Sequence, residues 1–162
     1  MEHKAETHAA GAVFDLLKEH GLTMACAESC TGGLIAKLIT DLPGASSVFR
    51  GGVVSYATEV KSDVLGVPGH ILEKHGAVSE LCARAMAEGV RQLMKADIAV
   101  STTGVAGPDK DERGNDVGTV YIALAAENET VCRKLHCGGT RDEIRHNAAM
   151  SAFEMIKQFL SK

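Results

Sequence analysis

Aromatic residues are scarce in this sequence. It has two tyrosines, four phenylalanines and no tryptophan among 162 residues, so a core has to be assembled from Ala, Val, Leu, Ile and Met. No stretch of about 18 apolar residues occurs, which argues against a transmembrane helix. The first ten residues are polar and alanine-rich, unlike a secretory signal, and the expectation is a cytoplasmic protein. A basic excess is also missing: 17 Lys and Arg stand against 21 Asp and Glu, a net charge of -4. That argues against a broad nucleic-acid-binding face and still permits a local basic pocket for one small anion. Cysteine is sparse, odd in number and irregularly spaced, at 26, 30, 82, 132 and 137, which fits no disulfide scaffold. Two readings of the thiols stand: a four-thiolate zinc site from 26, 30, 132 and 137, or reduced buried thiols that pack as small hydrophobes. The place of Cys26 inside an apolar strand pattern favours the second.

What remains is the composition of a globular chain, 45% hydrophobic and 23% charged, with a length that suits one domain over residues 1–162. Helical spacing of Ala9, Val13, Leu16 and Leu17 predicts a helix over 5–20, ended by Gly21. Leu22 to Ala27 suits a buried strand, Thr31 to Leu42 a helix stopped by Pro43-Gly44, and Val48 to Tyr56 a second strand with a bulge at Gly51-Gly52. Short helices follow over 59–65 and 69–75. Ser79 then caps a long helix whose apolar face is Leu81, Ala85, Met86, Val90, Leu93 and Met94. Asp97 to Thr103 is a strand, and 104–117 a loop too long to be a bare connection. Thr119 to Ala126 and Thr130 to Cys137 form an antiparallel pair, and a last helix runs from about Arg141 to Leu160. This order predicts an α/β fold, a mixed sheet flanked by helices.

Ligands of such sheets bind beyond the carboxyl ends of the parallel strands. Three segments fall there: 28–33, 56–61 and 102–108. In the first, Glu28-Ser29-Cys30-Thr31-Gly32-Gly33 leads from a strand into a helix, where unpaired N–H groups suit an oxyanion or phosphate. Ser29 is placed equally well to be a nucleophile or a helix cap, and Glu28 to be a buried polar partner or a surface residue. None of the seven histidines lies in the three segments, which weakens a Ser–His–Asp triad. Lys61 is the alternative base, provided that burial lowers its pKa; otherwise it is a solvated lysine. Tyr56 can relay a proton, hold that lysine, or rest in water at the strand end. Thr103 and Gly104 belong to a turn that either admits a ligand close to backbone or merely turns. Arg141 and Arg145, four apart on one helix face, can clamp an anion or face solvent.

Taken together the segments resemble the CinA C-terminal domain family, competence- and damage-inducible proteins whose stand-alone members include nicotinamide-nucleotide amidases. The strings that carry the resemblance are Ala27-Glu-Ser-Cys-Thr-Gly-Gly33, Gly52-Val-Val-Ser-Tyr-Ala-Thr-Glu-Val-Lys61, His75-Gly-Ala-Val-Ser79, Gly104-Val-Ala-Gly-Pro108, Val117-Gly-Thr-Val120, and Gly139-Thr-Arg141 with Arg145. They occur in the family's order over roughly residues 8–160. The resemblance implies a three-layer α/β/α sandwich with a mostly parallel five-stranded sheet and one antiparallel strand. It implies deamidation of nicotinamide mononucleotide, with Ser29 as nucleophile, Lys61 as base, Tyr56 as helper, and no metal or cofactor. Glu28, Thr31, Gly32, Gly33, Thr103, Gly104, Arg141 and Arg145 are then candidates for substrate binding. The expected partner is a small nucleotide, with no nucleic acid and no membrane, and the family's habit of self-association implies a homo-oligomer. Longer relatives carry an additional N-terminal domain, for which 162 residues leave no room. The alternative is a non-catalytic module that binds a nucleotide or a protein in a competence or damage response. One stretch departs from the family's pattern: where a glycine pair and Lys-Pro-Val-Gly are usual, this chain has Asp109-Lys-Asp-Glu-Arg-Gly-Asn-Asp-Val-Gly118.

Overall fold

A computed structural model describes residues 2–162. Helix α1 covers Glu2–His20, strand β1 Met24–Glu28, α2 Leu34–Thr40 and β2 Phe49–Val54. Two short helices, α3 (Thr58–Asp63) and α4 (Gly69–His75), precede the long α5 (Glu80–Met94). Strands β3 (Ile98–Gly104), β4 (Thr119–Ala125) and β5 (Thr130–His136) lead to α6 (Arg141–Leu160). The sheet order is β2-β1-β3-β4-β5. β1 pairs in parallel with both β2 and β3, whereas β4 is antiparallel to β3 and β5. One strand therefore runs against the other four, the α/β arrangement expected. The irregularity in β2 falls at Arg50, which the pairing with β1 skips between Phe49 and Gly51.

The two sheet faces are built from different side chains. Strand alternation sends Met24, Cys26, Ile98, Val100, Val120, Ile122 and Leu124 toward α1, α2 and α6, where Val13, Leu17, Ile35, Ile39, Phe153 and Ile156 close the larger core. The opposite face carries Ala25, Ala27, Ala99, Ala123 and Ala125. Such a face lets α5 approach the sheet closely through Cys82, Ala83, Met86, Ala87 and Val90. Ser101 on this face donates its buried hydroxyl to the Ala83 carbonyl at 2.6 Å. This corrects the apolar face assigned to α5: Leu81 and Leu93 are about half exposed, because against an alanine surface the small residues of the helix seat deeper. Likewise α2 begins at Leu34 and not at Thr31, since Gly32 and Gly33 take left-handed φ angles of 60° and 102°.

Gly89 shows how close α5 sits. A Cβ there would run into the carbonyl oxygen of Leu65, in the loop after α3. In an open helix, Gly→Ala stabilises by about 1 kcal/mol. Here Gly89→Ala is expected to destabilise by about 1–3 kcal/mol through overpacking, measured by urea denaturation. A stabilised variant would contradict this packing.

Candidate active site

The parallel register brings three strand ends together. Glu28 is level with Val54 of β2 and Thr102 of β3. One step on, the Ser29 N–H donates to the Thr102 carbonyl at 2.9 Å, and the Ser55 N–H to the Glu28 carbonyl at 2.8 Å. The ladder thus fixes the backbone of Ser29 and Ser55 before any side chain is considered.

Lys61 comes from α3, where it is the one buried residue. Only 1% of it is exposed. Its Nζ lies 3.0 Å from Ser29 Oγ and donates to the Ser55 carbonyl at 2.6 Å. Burial pushes the Lys61 pKa below the ordinary lysine value, because a buried ammonium loses its hydration. Cys30, beside Ser29, is displaced in the unreactive direction: burial pushes its thiol up to about 12. All five cysteines are free thiols, and among the described residues no group of three His, Cys, Asp or Glu is arranged to hold a metal ion.

The turn that carries Ser29 is braced from below and behind. Glu28, 1% exposed, points away from the cavity into the start of α2. Its carboxylate accepts from the N–H groups of Gly33 (3.0 Å), Ile35 (3.1 Å) and Ala36 (2.9 Å) and from the Thr31 hydroxyl (2.5 Å). Thr31 Oγ1 also meets Thr102 Oγ1 at 2.7 Å. Glu28 therefore does for α2 what an N-cap residue does, from the preceding strand, and complements the helix dipole. Arg145 braces the other side: its Nε donates to the Cys30 carbonyl and its Nη2 to the Thr31 carbonyl, both at 3.1 Å.

Of the candidate substrate contacts, Thr103, Gly104 and Arg141 line a cavity of about 220 Å³ together with Ser29, Lys61 and Tyr56. Glu28, Thr31, Gly32, Gly33 and Arg145 do not line it and instead form or brace the turn. Two N–H groups of the turn are taken. Gly33 N–H is taken by Glu28 and Gly32 N–H by the Ser29 carbonyl. Among the described residues, the turn's N–H groups without an acceptor are those of Cys30 and Thr31.

Tyr56 is bonded to Arg141. It is 59% exposed at the cavity mouth, and its hydroxyl accepts from Arg141 Nη2 at 2.8 Å rather than from Lys61. Arg141 Nη1 donates to the Gly107 carbonyl at 2.6 Å. The lysine is held instead by the backbone of Ser55, a residue that sequence reasoning passed over because a carbonyl leaves no side-chain signature. Thr103 donates to the Ala77 carbonyl at 2.8 Å, which ties β3 to the segment before α5. Gly104 answers to packing, since a Cβ there would meet Val120 Cγ2 at 2.6 Å and the Thr119 carbonyl at 2.7 Å. Arg141 and Arg145 are presented by the start of α6. A capping box fixes it: Thr140 Oγ1 accepts from Glu143 N–H, and Glu143 Oε2 from Thr140 N–H.

A family model described as the CinA C-terminal domain matches residues 6–160. A relative from Desulforudis audaxviator, named for competence-damage induction, is 48% identical over 150 residues, which are 93% of this chain and 36% of the relative. One from Bacillus cereus, similarly named, is 51% identical over 140 residues, 86% of this chain and 34% of its own. This chain thus spans about a third of the length of these curated relatives. Among solved structures, a competence-damaged protein (CinA) superfamily protein from Klebsiella pneumoniae superposes with a TM-score of 0.94 at 30% identity, covering 96% of this chain and 98% of that one. A competence/damage inducible protein from Agrobacterium tumefaciens gives 0.91 at 36% identity, covering 97% and 96%.

The bracing role of Glu28 is open to test. Glu28→Ala would strand three buried or half-buried N–H groups and a threonine hydroxyl, and is expected to lower stability by about 2 kcal/mol or more in chemical denaturation. Glu28→Gln keeps one acceptor oxygen and is expected to lose less. An alanine variant as stable as the parent would contradict the role.

Proposed function

This chain belongs to the CinA C-terminal domain family, and from that premise we propose that it is an amidohydrolase that deamidates nicotinamide mononucleotide with a serine–lysine pair. The observation that carries the reading is the buried Lys61 Nζ, 3.0 Å from Ser29 Oγ in a cavity open at one side. A neutral lysine amine can donate one N–H to the Ser55 carbonyl while its lone pair accepts the Ser29 hydroxyl proton. A non-catalytic binding module gives no reason for burying a lysine against a serine hydroxyl.

In the proposed reaction the Lys61 amine takes the Ser29 proton as Oγ attacks the carboxamide carbon. The negative charge that develops on the carbonyl oxygen is met by the Cys30 N–H, the donor next to the nucleophile. Collapse of the tetrahedral intermediate breaks the carbon–nitrogen bond. The Lys61 ammonium returns its proton to the departing nitrogen, and ammonia leaves. Water then attacks the Ser29 ester with Lys61 again as base; the carbon–Oγ bond breaks, Ser29 recovers its proton, and the carboxylate product is released. Arg141, cationic and at the mouth beside Tyr56, suits the phosphate of the mononucleotide.

Ser29→Ala is expected to reduce ammonia release from nicotinamide mononucleotide by about a thousandfold or more, with the fold retained by circular dichroism. Undiminished release in that variant would remove the serine from the mechanism. The pH dependence follows from Lys61. The base form is the deprotonated amine, so kcat/KM rises with pH as the amine loses its proton. Because burial lowers that pKa, the midpoint of the limb is expected below 10.5, the ordinary lysine value. A rate independent of pH across the limb, or one that falls as the amine deprotonates, would contradict the assignment.

A further inference from the structure

We propose that the catalytic cavity continues into a second compartment, between α4 and the loop 109–116, and that this compartment takes the sugar hydroxyls of the substrate with Glu112 as their acceptor. The inference rests on the amidase reading for its reaction, but on separate residues for its geometry. The compartment encloses about 300 Å³. It shares Thr58, Ala77 and Val78 with the cavity around Ser29, so the two adjoin along that wall. Its outer wall is Asp111, Glu112 and Arg113, from the stretch in which this chain departs from the family's usual sequence.

That stretch is a built structure. Arg113 reaches across to the C-terminal end of α4, where Nη2 donates to the carbonyls of Leu72 (3.1 Å) and Glu73 (2.5 Å) and Nη1 to that of Lys74 (3.4 Å). The carbonyls of Glu73 and Lys74 are among those that a helix end leaves without intrahelical partners, and that of Leu72 also accepts from the Gly76 N–H at 3.0 Å. Gly76 makes room for the arm, since a Cβ there would lie 2.5 Å from Arg113 Cδ and 2.6 Å from Nε. Asp111 organises the loop tip: Oδ1 accepts from the N–H groups of Arg113 (3.1 Å) and Asn115 (2.8 Å), and Oδ2 from Asn115 Nδ2 (2.7 Å). The arginine and the aspartate are both spent on the fold.

Glu112 lies between these two anchors and is the charge left over. It is exposed, it lines the compartment, and its carboxylate has no partner among the described residues. An ionised carboxylate only accepts hydrogen bonds, so it selects a group that presents donors and repels a phosphate. A ribose diol presents two hydroxyls to two carboxylate oxygens, the pairing that an acidic residue makes in dinucleotide-binding folds. In this placement the amide lies at Ser29 and the anionic end at Arg141, both in the cavity of about 220 Å³, while the diol turns into the adjoining compartment toward Glu112.

The test uses the full chain carrying Ser29→Ala, so that binding is read without turnover. Calorimetric affinities are measured for nicotinamide riboside and for its 2′-deoxy counterpart, with and without Glu112→Ala. The expected result is that the deoxy compound binds about tenfold more weakly when Glu112 is present, and that the two bind about equally when it is alanine. A preference for the diol that is the same in both proteins, or no binding of either compound, would overturn the compartment. Ammonia release is read separately with Ser29 in place. Release together with a ratio insensitive to Glu112 sinks the compartment and leaves the amidase. A Glu112-dependent ratio without release sinks the amidase and leaves the compartment.

Discussion

The amine of Lys61 sits between the hydroxyl of Ser29 and the carbonyl of Ser55, almost wholly out of water. A buried ammonium costs several kcal/mol unless it is paired, and among the described residues no carboxylate is bonded to this one. The same burial that is unfavourable for the charged form lowers the pKa and makes the neutral amine available. A carbonyl and a hydroxyl suit a neutral amine, since one accepts its N–H and the other can donate to its lone pair. In the proposed mechanism that neutral amine is the base, and no histidine is among the residues that line the cavity.

Everything around that contact serves to keep Ser29 in register with it. The parallel pairing of β1 with both neighbours carries the hydrogen-bond ladder one residue past the strand ends, to Ser29 and Ser55. Glu28 anchors the far side of the turn to α2, and Arg145 anchors its carbonyls to α6. With the carbonyls of Cys30 and Thr31 held by the guanidinium, and the N–H groups of Gly32 and Gly33 used inside the turn, the donors left over are the N–H groups of Cys30 and Thr31. The alanine-lined sheet face contributes at longer range. It lets α5 lie close to the strands, and Thr103 is bonded to Ala77 just before that helix.

Much of this was legible in the sequence, and the parts that were not share a cause. The span of α6 follows from Thr140 and Glu143, a capping box at its start, and the apolar pattern behind it. Ser29, Lys61 and Thr103 were brought together in expectation by the rule that sites form at strand ends. Helical spacing put Arg141 and Arg145 on one face but could not tell which backbone carbonyls each would reach, and it is that difference which sends one to the mouth and the other to the turn. Tyr56 reads as a companion of Lys61 because both flank one strand end, yet the chain turns between them and the phenol leaves toward Arg141. Glu28 reads as a site residue because it adjoins Ser29. Alternation along β1 sends it to the opposite side, under α2. In each case sequence distance was a sound guide to neighbourhood and a poor one to side-chain direction.

The central claim is that Ser29 Oγ, activated by Lys61, forms a covalent acyl intermediate. Its most direct test is to mix the protein with nicotinamide mononucleotide, quench in acid during turnover, and measure the mass of the intact chain and of its peptides. The account predicts a population heavier by the substrate less ammonia, with the addition on Ser29. An addition on Cys30, or steady ammonia release with no acylated chain at any quench time, would contradict it.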